Sequence, residues 1–444
     1  MTYRHFVLIT FALHALFTRA SAQVSGGDTA HVSTSDSVRL GALQDKAIMR
    51  DPRGRELALL TEQSRLRQQN LVSERLPTIT LEGQAQYQSD VAKIPITLPG
   101  GISPPTPPHD TYDAHLAAGQ TLYDPSNGPR RAVEDAQLAE AQAQLRAQLY
   151  PLRQSVNDAF FTALQAQSQI AELELTITDL EAQHRVAAAR VREGTALPSE
   201  EKALRAEILR RRQSAAEAGA GRRAALAILS DLTGKSYDST TLLGATDLAV
   251  AVGRARDSLS DLRARPEYEQ FARSRALLDQ QERARKAQDL PRVSAFGRAG
   301  YGRPGLNLLS TKFDSYWLTG LQLQWSPWTW GVGKRDRQIL EVQRQIISAE
   351  EQQFTENLRR GVEQDLANID RLEASVRDDD EIVALRESIL AETRARFNEG
   401  VVTSAEYVDR QTDVLSARTT RALHRVELAQ VRSRFLNTLG IEVH

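Results

Sequence analysis

The chain of 444 residues contains no cysteine, which removes disulfides, thiolate metal sites, thiol catalysis and lipid-modified cysteine anchors together. Glycine and proline are sparse, at 25 and 16 residues, so long runs of Ala, Arg, Gln and Leu go unpunctuated, a composition of long helices. Charge of one sign is lacking too. The formal net charge is -1 with both signs interspersed, so there is no electrostatic footprint for nucleic acid. After the first residues no stretch reaches the roughly 18 consecutive apolar residues that a membrane-spanning helix needs. The eight histidines are scattered without metal-ligand spacing, and no Ser/His/Asp constellation stands out. Nothing points to an enzyme, a cofactor or a metal. "WGVGKRD" at 330–336 lacks phosphate-loop spacing and reads as a turn from strand to helix.

What is present begins with a targeting segment. A weakly basic "MTYRH", the apolar "FVLITFALHALF" and the small-x-small Ala20-Ser21-Ala22 predict an export signal over 1–22, with the mature chain starting near Gln23.

Spacing then predicts a tandem repeat. Pro266 lies 214 residues after Pro52, and Pro291 lies 214 after Pro77. Gly400 lies 206 residues after Gly194, and Gly440 lies 206 after Gly234. The change in offset falls where a Pro-rich loop at 95–108 faces a shorter one in the second half, as a surface loop would absorb it. The expected organisation is a first unit over 23–234, a linker or equatorial region over 235–262 and a second unit over 263–444. Each unit reads helix, strand, loop, strand, very long helix, glycine corner, return helix.

Strands are expected near 77–90, 112–124, 291–302 and 316–326, each close to the 9–11 residues of a membrane β-strand. From Thr78 to Tyr87 apolar or small residues take every odd position; Val293, Ala295, Gly297, Ala299 and Tyr301 keep the same parity. Trp317, Thr319, Leu321, Leu323 and Trp325 share one face, with Gly320, Gln322 and Gln324 opposite. Trp317 and Trp325 suggest an aromatic girdle, and Trp328 and Trp330 its inner boundary. Two hairpins packed as a soluble sandwich are the ordinary alternative. Against it stand a second face polar enough to meet water and the open edges of four strands. Closure requires several copies: two give eight strands with a filled interior, and three give twelve, the smallest multiple that leaves a channel.

The long helices are expected over 127–192 and 333–398, each on the order of 100 Å at 1.5 Å per residue, with Pro129 in a first turn and Pro151 kinking the first rod. Return helices are expected over 199–232 and 404–439. Leu152, Val156, Ala159, Ala163, Ala166, Ile170, Leu173, Ile177 and Leu180 form a heptad seam, as do Val362, Leu366, Ile369, Leu372 and Val376. A plain two-stranded coiled coil would show the same rhythm. "RDDDE" at 377–381 reads as a solvated helix face.

These features, with "RPEY" at 265–268, "LPTITLEGQAQY" and "LPRVSAFGRAGY" opening strands, the "RVREGTALPSEE" and "RFNEGVVTSAEYVDRQ" corners and the "LSDLTG" and "LNTLG" helix ends, resemble the TolC family of outer-membrane efflux proteins, or outer membrane factors, over nearly the whole mature chain. The resemblance implies a mixed, mainly α fold: a homotrimer whose 12-stranded transmembrane β-barrel continues into a long periplasmic α-helical barrel. It implies an outer-membrane exit channel in contact with outer-membrane lipid, fed by a periplasmic adaptor and an inner-membrane pump of RND or ABC type, without a cofactor. Drug efflux is the first expectation; metal-ion efflux and type I protein secretion use the same architecture. An exported structural coiled coil or adhesin is the alternative of another class, and a polar strand face is what it would not need.

The resemblance also assigns the corners. They are the periplasmic tips, where the adaptor docks at Gly194, Thr195, Ser199, Gly400, Val401 and Ser404. The gate carboxylates lie six and nine residues after the second corner glycine, at Glu406 and Asp409, and three copies of each would ring the axis and favour cations. Thr403-Ser404-Ala405-Glu406 is equally a capping box, and the two roles are compatible. Asp409 has Ala203 as its counterpart in the first unit. Glu200 takes the position that pairs with a basic residue two after the second glycine, and here that residue is Val402.

Overall fold

The computed structural model describes residues 39–92, 106–244, 247–257, 263–307 and 310–442. The expected export signal, most of the Pro-rich loop and part of the linker lie outside them.

Nine helices and four strands follow one another among the described residues. Helices α1 (Leu40–Arg50) and α2 (Gly54–Ser73) precede β1 (Thr78–Tyr87) and β2 (Asp110–Tyr123). Then come α3 (Asn127–Leu149), α4 (Leu152–Arg192), α5 (Pro198–Thr233) and the short α6 (Ala249–Asp257). Helix α7 (Pro266–Gln288) leads into β3 (Arg292–Arg303) and β4 (Asp314–Gln324), followed by α8 (Val332–Asn398) and α9 (Ser404–Leu439).

The two long segments differ. Pro151 lacks an amide proton and clashes with the preceding turn, so the first is divided at Tyr150–Pro151 into α3 and α4. The second has no proline and runs as one helix of 67 residues. Gly331, at φ 76°, and Trp330, at φ 51°, form the left-handed turn that starts α8, so the "WGVGKRD" stretch does turn strand into helix. Gly234 and Gly440 end α5 and α9 in the same left-handed conformation, which a side chain would resist.

The strands form an antiparallel meander in the order β1-β2-β3-β4. The helices flanking them keep that order, because α2 packs on α3, α3 on α7 and α7 on α8. Further along, α4 pairs with α5, α8 with α9, and α4 with α9. The seam residues Val156, Ala159, Ala163, Ile369 and Leu372 are buried in one core with Phe160, Phe161, Leu226, Leu229, Phe435 and Leu436. Burying each of these larger side chains contributes about 1.5–3 kcal/mol.

A polar chain crosses this core. Gln44 Nε2 donates to Asn157 Oδ1 at 2.6 Å, Asn157 Nδ2 donates to Ser433 Oγ at 3.0 Å, and Arg153 donates to Gln44 Oε1 at 3.1 Å. It joins α1, α4 and α9 through side-chain hydrogen bonds. The "RPEY" motif is a structural junction: Arg265 lies over the Tyr150 ring at 4.3 Å, and the Arg265 amide nitrogen is 3.0 Å from where a Cβ on Gly440 would sit. Tyr150 donates to the Asn437 carbonyl at 2.7 Å, and its burial raises the hydroxyl pKa above the ordinary value.

Candidate functional site

The sheet is amphipathic in the inverse of a soluble protein. Register places Leu81, Leu116, Ala299 and Trp317 in one row across β1 to β4, and Ile79, Ala118, Gly297 and Thr319 in another. That apolar face is open: Leu81 is 80% exposed, Trp317 74% and Leu321 72%. Along β2 the polar-face residues Thr111, Asp113, His115, Ala117 and Gly119 are the more covered set, and the apolar set between them is exposed. Among the described residues no element of this chain packs on the apolar face, and β1 and β4 each leave one edge unpaired. Leaving such a surface in water has no compensating term.

The polar face holds Thr80, Glu82, Gln84 and Gln86 of β1, Asp113 and His115 of β2, Arg298 of β3, and Tyr316, Gln322 and Gln324 of β4. Leu318, paired with Arg298, is one apolar exception and Phe296 the other. Its ring covers Gly320, where a Cβ would approach to 2.8 Å. Of the four tryptophans, only Trp317 lies within a strand. Trp325 follows β4 and donates Nε1–H to the Asp289 carbonyl at 3.2 Å, while Trp328 and Trp330 meet edge to face with centroids 5.9 Å apart before α8. All four are exposed; Trp325, Trp328 and Trp330 lie at the end of the sheet from which α8 leaves, and Trp317 lies toward the other end of β4.

At the opposite end of the helices, Gly194 and Gly400 adopt φ 71° and 77° and turn α4 into α5 and α8 into α9. Thr195 and Val401 each return an amide proton to the carbonyl five residues back, closing both corners alike. Pro198 and the first-turn Glu200 and Glu201 suit the start of α5. Thr403 Oγ1 accepts from the Glu406 amide at 3.3 Å, so half of the expected capping box forms. Glu200 and Glu406 are half-buried and Asp409 is exposed; none forms an ion pair with a described residue of this chain. Gly194, Thr195, Ser199, Gly400 and Val401 are exposed. Ser404 is buried at 2% and does not share that exposed surface.

Val402, two residues after the second corner glycine, is buried with Leu180, Ala187, Leu204, Ile208, Phe397 and Tyr407. Other side chains join the two tips. Arg190 of α4 donates to the Phe397 carbonyl at 2.7 Å and to that of Asn398, satisfying the open C-terminus of α8. Asp179 of α4 accepts from the Tyr407 hydroxyl of α9 and pairs with Arg394 of α8 at 3.1 Å. Sequence reasoning missed both links. Arg190 carried a signal, since it opens the "RVREG" corner, but nothing along the chain connects Asp179 to Tyr407. The "RDDDE" run is not simply solvated: Asp379 is buried and lies 2.6 Å from His424 Nδ1, and Asp380 pairs with Arg425 at 2.7 Å, so it zips α8 to α9.

The geometry therefore combines an outward-greasy sheet with open edges and long paired helices. No family model matches the sequence, and no curated protein matches it. Solved structures do. The channel protein CusC matches with a TM-score of 0.65 at 16% identity, over 91% of this chain and 93% of that one. The outer-membrane protein VceC of Vibrio cholerae matches with 0.63 at 14%, over 91% and 97%. The MtrE outer-membrane channel of Neisseria gonorrhoeae, in its open state, matches with 0.62 at 18%, over 91% and 89%. The chain has the fold of these outer-membrane channels.

Proposed function

We propose that this chain is the outer-membrane exit channel of a tripartite efflux system, passively conducting substrate that an inner-membrane pump delivers through a periplasmic adaptor. The observation that carries it is the exposed apolar face of a four-stranded sheet whose two edges are unpaired. Lipid is the medium that such a face requires, and membrane strands tolerate no open edge. Pairing β4 of one copy with β1 of the next removes the edges, and three copies make a twelve-stranded barrel whose polar face surrounds water. The helices support the same ring. With α2 and α8 at the ends of the row, Leu59 and Leu66 of α2 and Ile339, Val342 and Ile346 of α8 stay exposed, ready to meet across copies.

In this reading two tandem units, 23–234 and 263–444, each supply a strand pair and a helical hairpin, and residues 1–22 direct export. Glu406 and Asp409 line the narrow end three times over, with Glu200 beside them, and the exposed corner residues receive the adaptor. Trp317 and Trp325 stand toward the two ends of the apolar face as an aromatic girdle, and Trp328 and Trp330 mark its periplasmic boundary. No reacting group or cofactor is called for, because the pump supplies the energy. Purified protein should have a trimeric mass in detergent and form water-filled pores in planar bilayers. A monomer that forms no pores and leaves vesicles on a salt wash would overturn the proposal.

A further inference from the structure

The polar face carries one row that the channel reading leaves unused. Glu82 of β1 is paired with His115 of β2, His115 with Gly300 of β3, and Gly300 with Tyr316 of β4. One line across the sheet thus holds a carboxylate, an imidazole, a bare position and a phenol. His115 is the hub: Nδ1 lies 2.6 Å from Asp113 Oδ2, and Nε2 lies 3.4 Å from Glu82 Oε2. The Tyr316 hydroxyl donates to the other oxygen of Asp113. Gly300 makes the room, because a Cβ there would sit 2.5 Å from the His115 Cβ and 2.9 Å from the Tyr316 ring. Arg298 lies two positions before Gly300 on the same face of β3.

Placement separates two tasks. The His115 side chain is 11% exposed, held between its partners, while Glu82 is 61% exposed and projects from the face. With His115 neutral, the carboxylates of Glu82, Asp113 and, one row along on β4, Asp314 outnumber the Arg298 guanidinium; a proton on His115 narrows that excess. Histidine is the side chain that makes this change between pH 5 and 8.

We propose that His115 is a pH-responsive selectivity element of the pore wall, weakening the barrel's preference for cations as the medium acidifies. The inference rests on the polar face lining the lumen. Three copies would repeat the row at one level, and a Debye length of about 8 Å at physiological salt lets each copy act on ions passing close by.

The absence of native cysteine allows a direct test. Gln84→Cys puts one thiol on the same face, at the position paired with Asp113. In vesicles carrying the full-length protein, that thiol is labelled with a cationic and an anionic methanethiosulfonate reagent, and the ratio of the two rates cancels thiol ionisation. From pH 8 to 5.5 the cation-to-anion ratio should fall by about 2- to 5-fold, as expected for one charge at short range in a watery site. With His115→Gln added, it should stay flat. Glu82→Gln, an exposed change, should lower the ratio at pH 8 and keep the pH step. A ratio independent of pH in the native background, or an unchanged step in His115→Gln, overturns the role of His115. A thiol that neither reagent reaches overturns the luminal placement, and the inference with it.

Discussion

Tyr407 of α9 donates its hydroxyl proton to Asp179 of α4, and the same carboxylate receives Arg394 of α8. One acidic side chain thereby ties both arms of the second helical hairpin to the first. The Tyr407 ring also stacks on Phe397 at 5.2 Å, so polar and apolar contacts act at one place.

Tyr407→Phe keeps the stacking and removes the hydrogen bond. It should cost about 1 kcal/mol, and Asp179→Ala, which strands the buried Tyr407 hydroxyl and releases the exposed Arg394, about 1–3 kcal/mol. Burial and then the bond to Asp179 hold the Tyr407 hydroxyl pKa far above its ordinary value. The folded chain therefore keeps this proton more tightly than the unfolded chain. The associated stability is complete below about pH 10 and declines as pH rises beyond it. Thermal unfolding between pH 9 and 11 should show a loss in the native protein that Tyr407→Phe reduces.

Replacing Glu406 and Asp409 together by alanine should raise single-channel conductance and weaken cation preference in planar bilayers. Unchanged conductance and selectivity would remove both residues from the gate. Thr403→Ala separates capping from gating. It should destabilise the start of α9 by about 1 kcal/mol while leaving selectivity alone.

Gly300→Ala should lower the stability of the assembled sheet by about 1–3 kcal/mol, because the added methyl overlaps His115, Tyr316 and the Ala114 carbonyl. Gly83→Ala meets nothing within 4 Å and serves as the control, with an effect near zero. The temperature at which folded bands convert to unfolded ones on a gel measures both.

Asn157→Ala breaks the buried chain between Gln44 and Ser433. The unpaired amide and hydroxyl should cost about 1–3 kcal/mol, read as a lower unfolding temperature. Asn157→Asp should also destabilise at neutral pH, since it places a charge where the native side chain is fully buried and removes the amide that donates to Ser433.

Element order is legible in the sequence because its signals are local. Alternation marks strands, proline and glycine mark ends, and the helix expected over 333–398 is Val332–Asn398. Trp325 marks where the local signal ends: parity puts it on the apolar face, while β4 ends one residue earlier at Gln324 and the indole is bound to the Asp289 carbonyl. Contacts between elements are not legible in this way. Asp179 and Tyr407 are 228 positions apart, and the pairing of His115 with Glu82 and Gly300 depends on a strand register that no single strand contains. Val402 shows the opposite limit. Seen alone it is a missing cation; seen packed beside Phe397 and Tyr407 it is part of the apolar contact that accompanies the Asp179 bond.

The unbroken α8 also has a mechanical meaning. At 67 residues it is a lever about 100 Å long, so a tilt of roughly 2° where it leaves Gly331 sweeps its far end through about 3 Å. The bond from Arg190 to the Phe397 carbonyl is 2.7 Å long. A tilt that small, amplified along a stiff spar, is enough to part it, whereas the jointed α3–α4 segment has an elbow at Pro151 that can absorb the same motion.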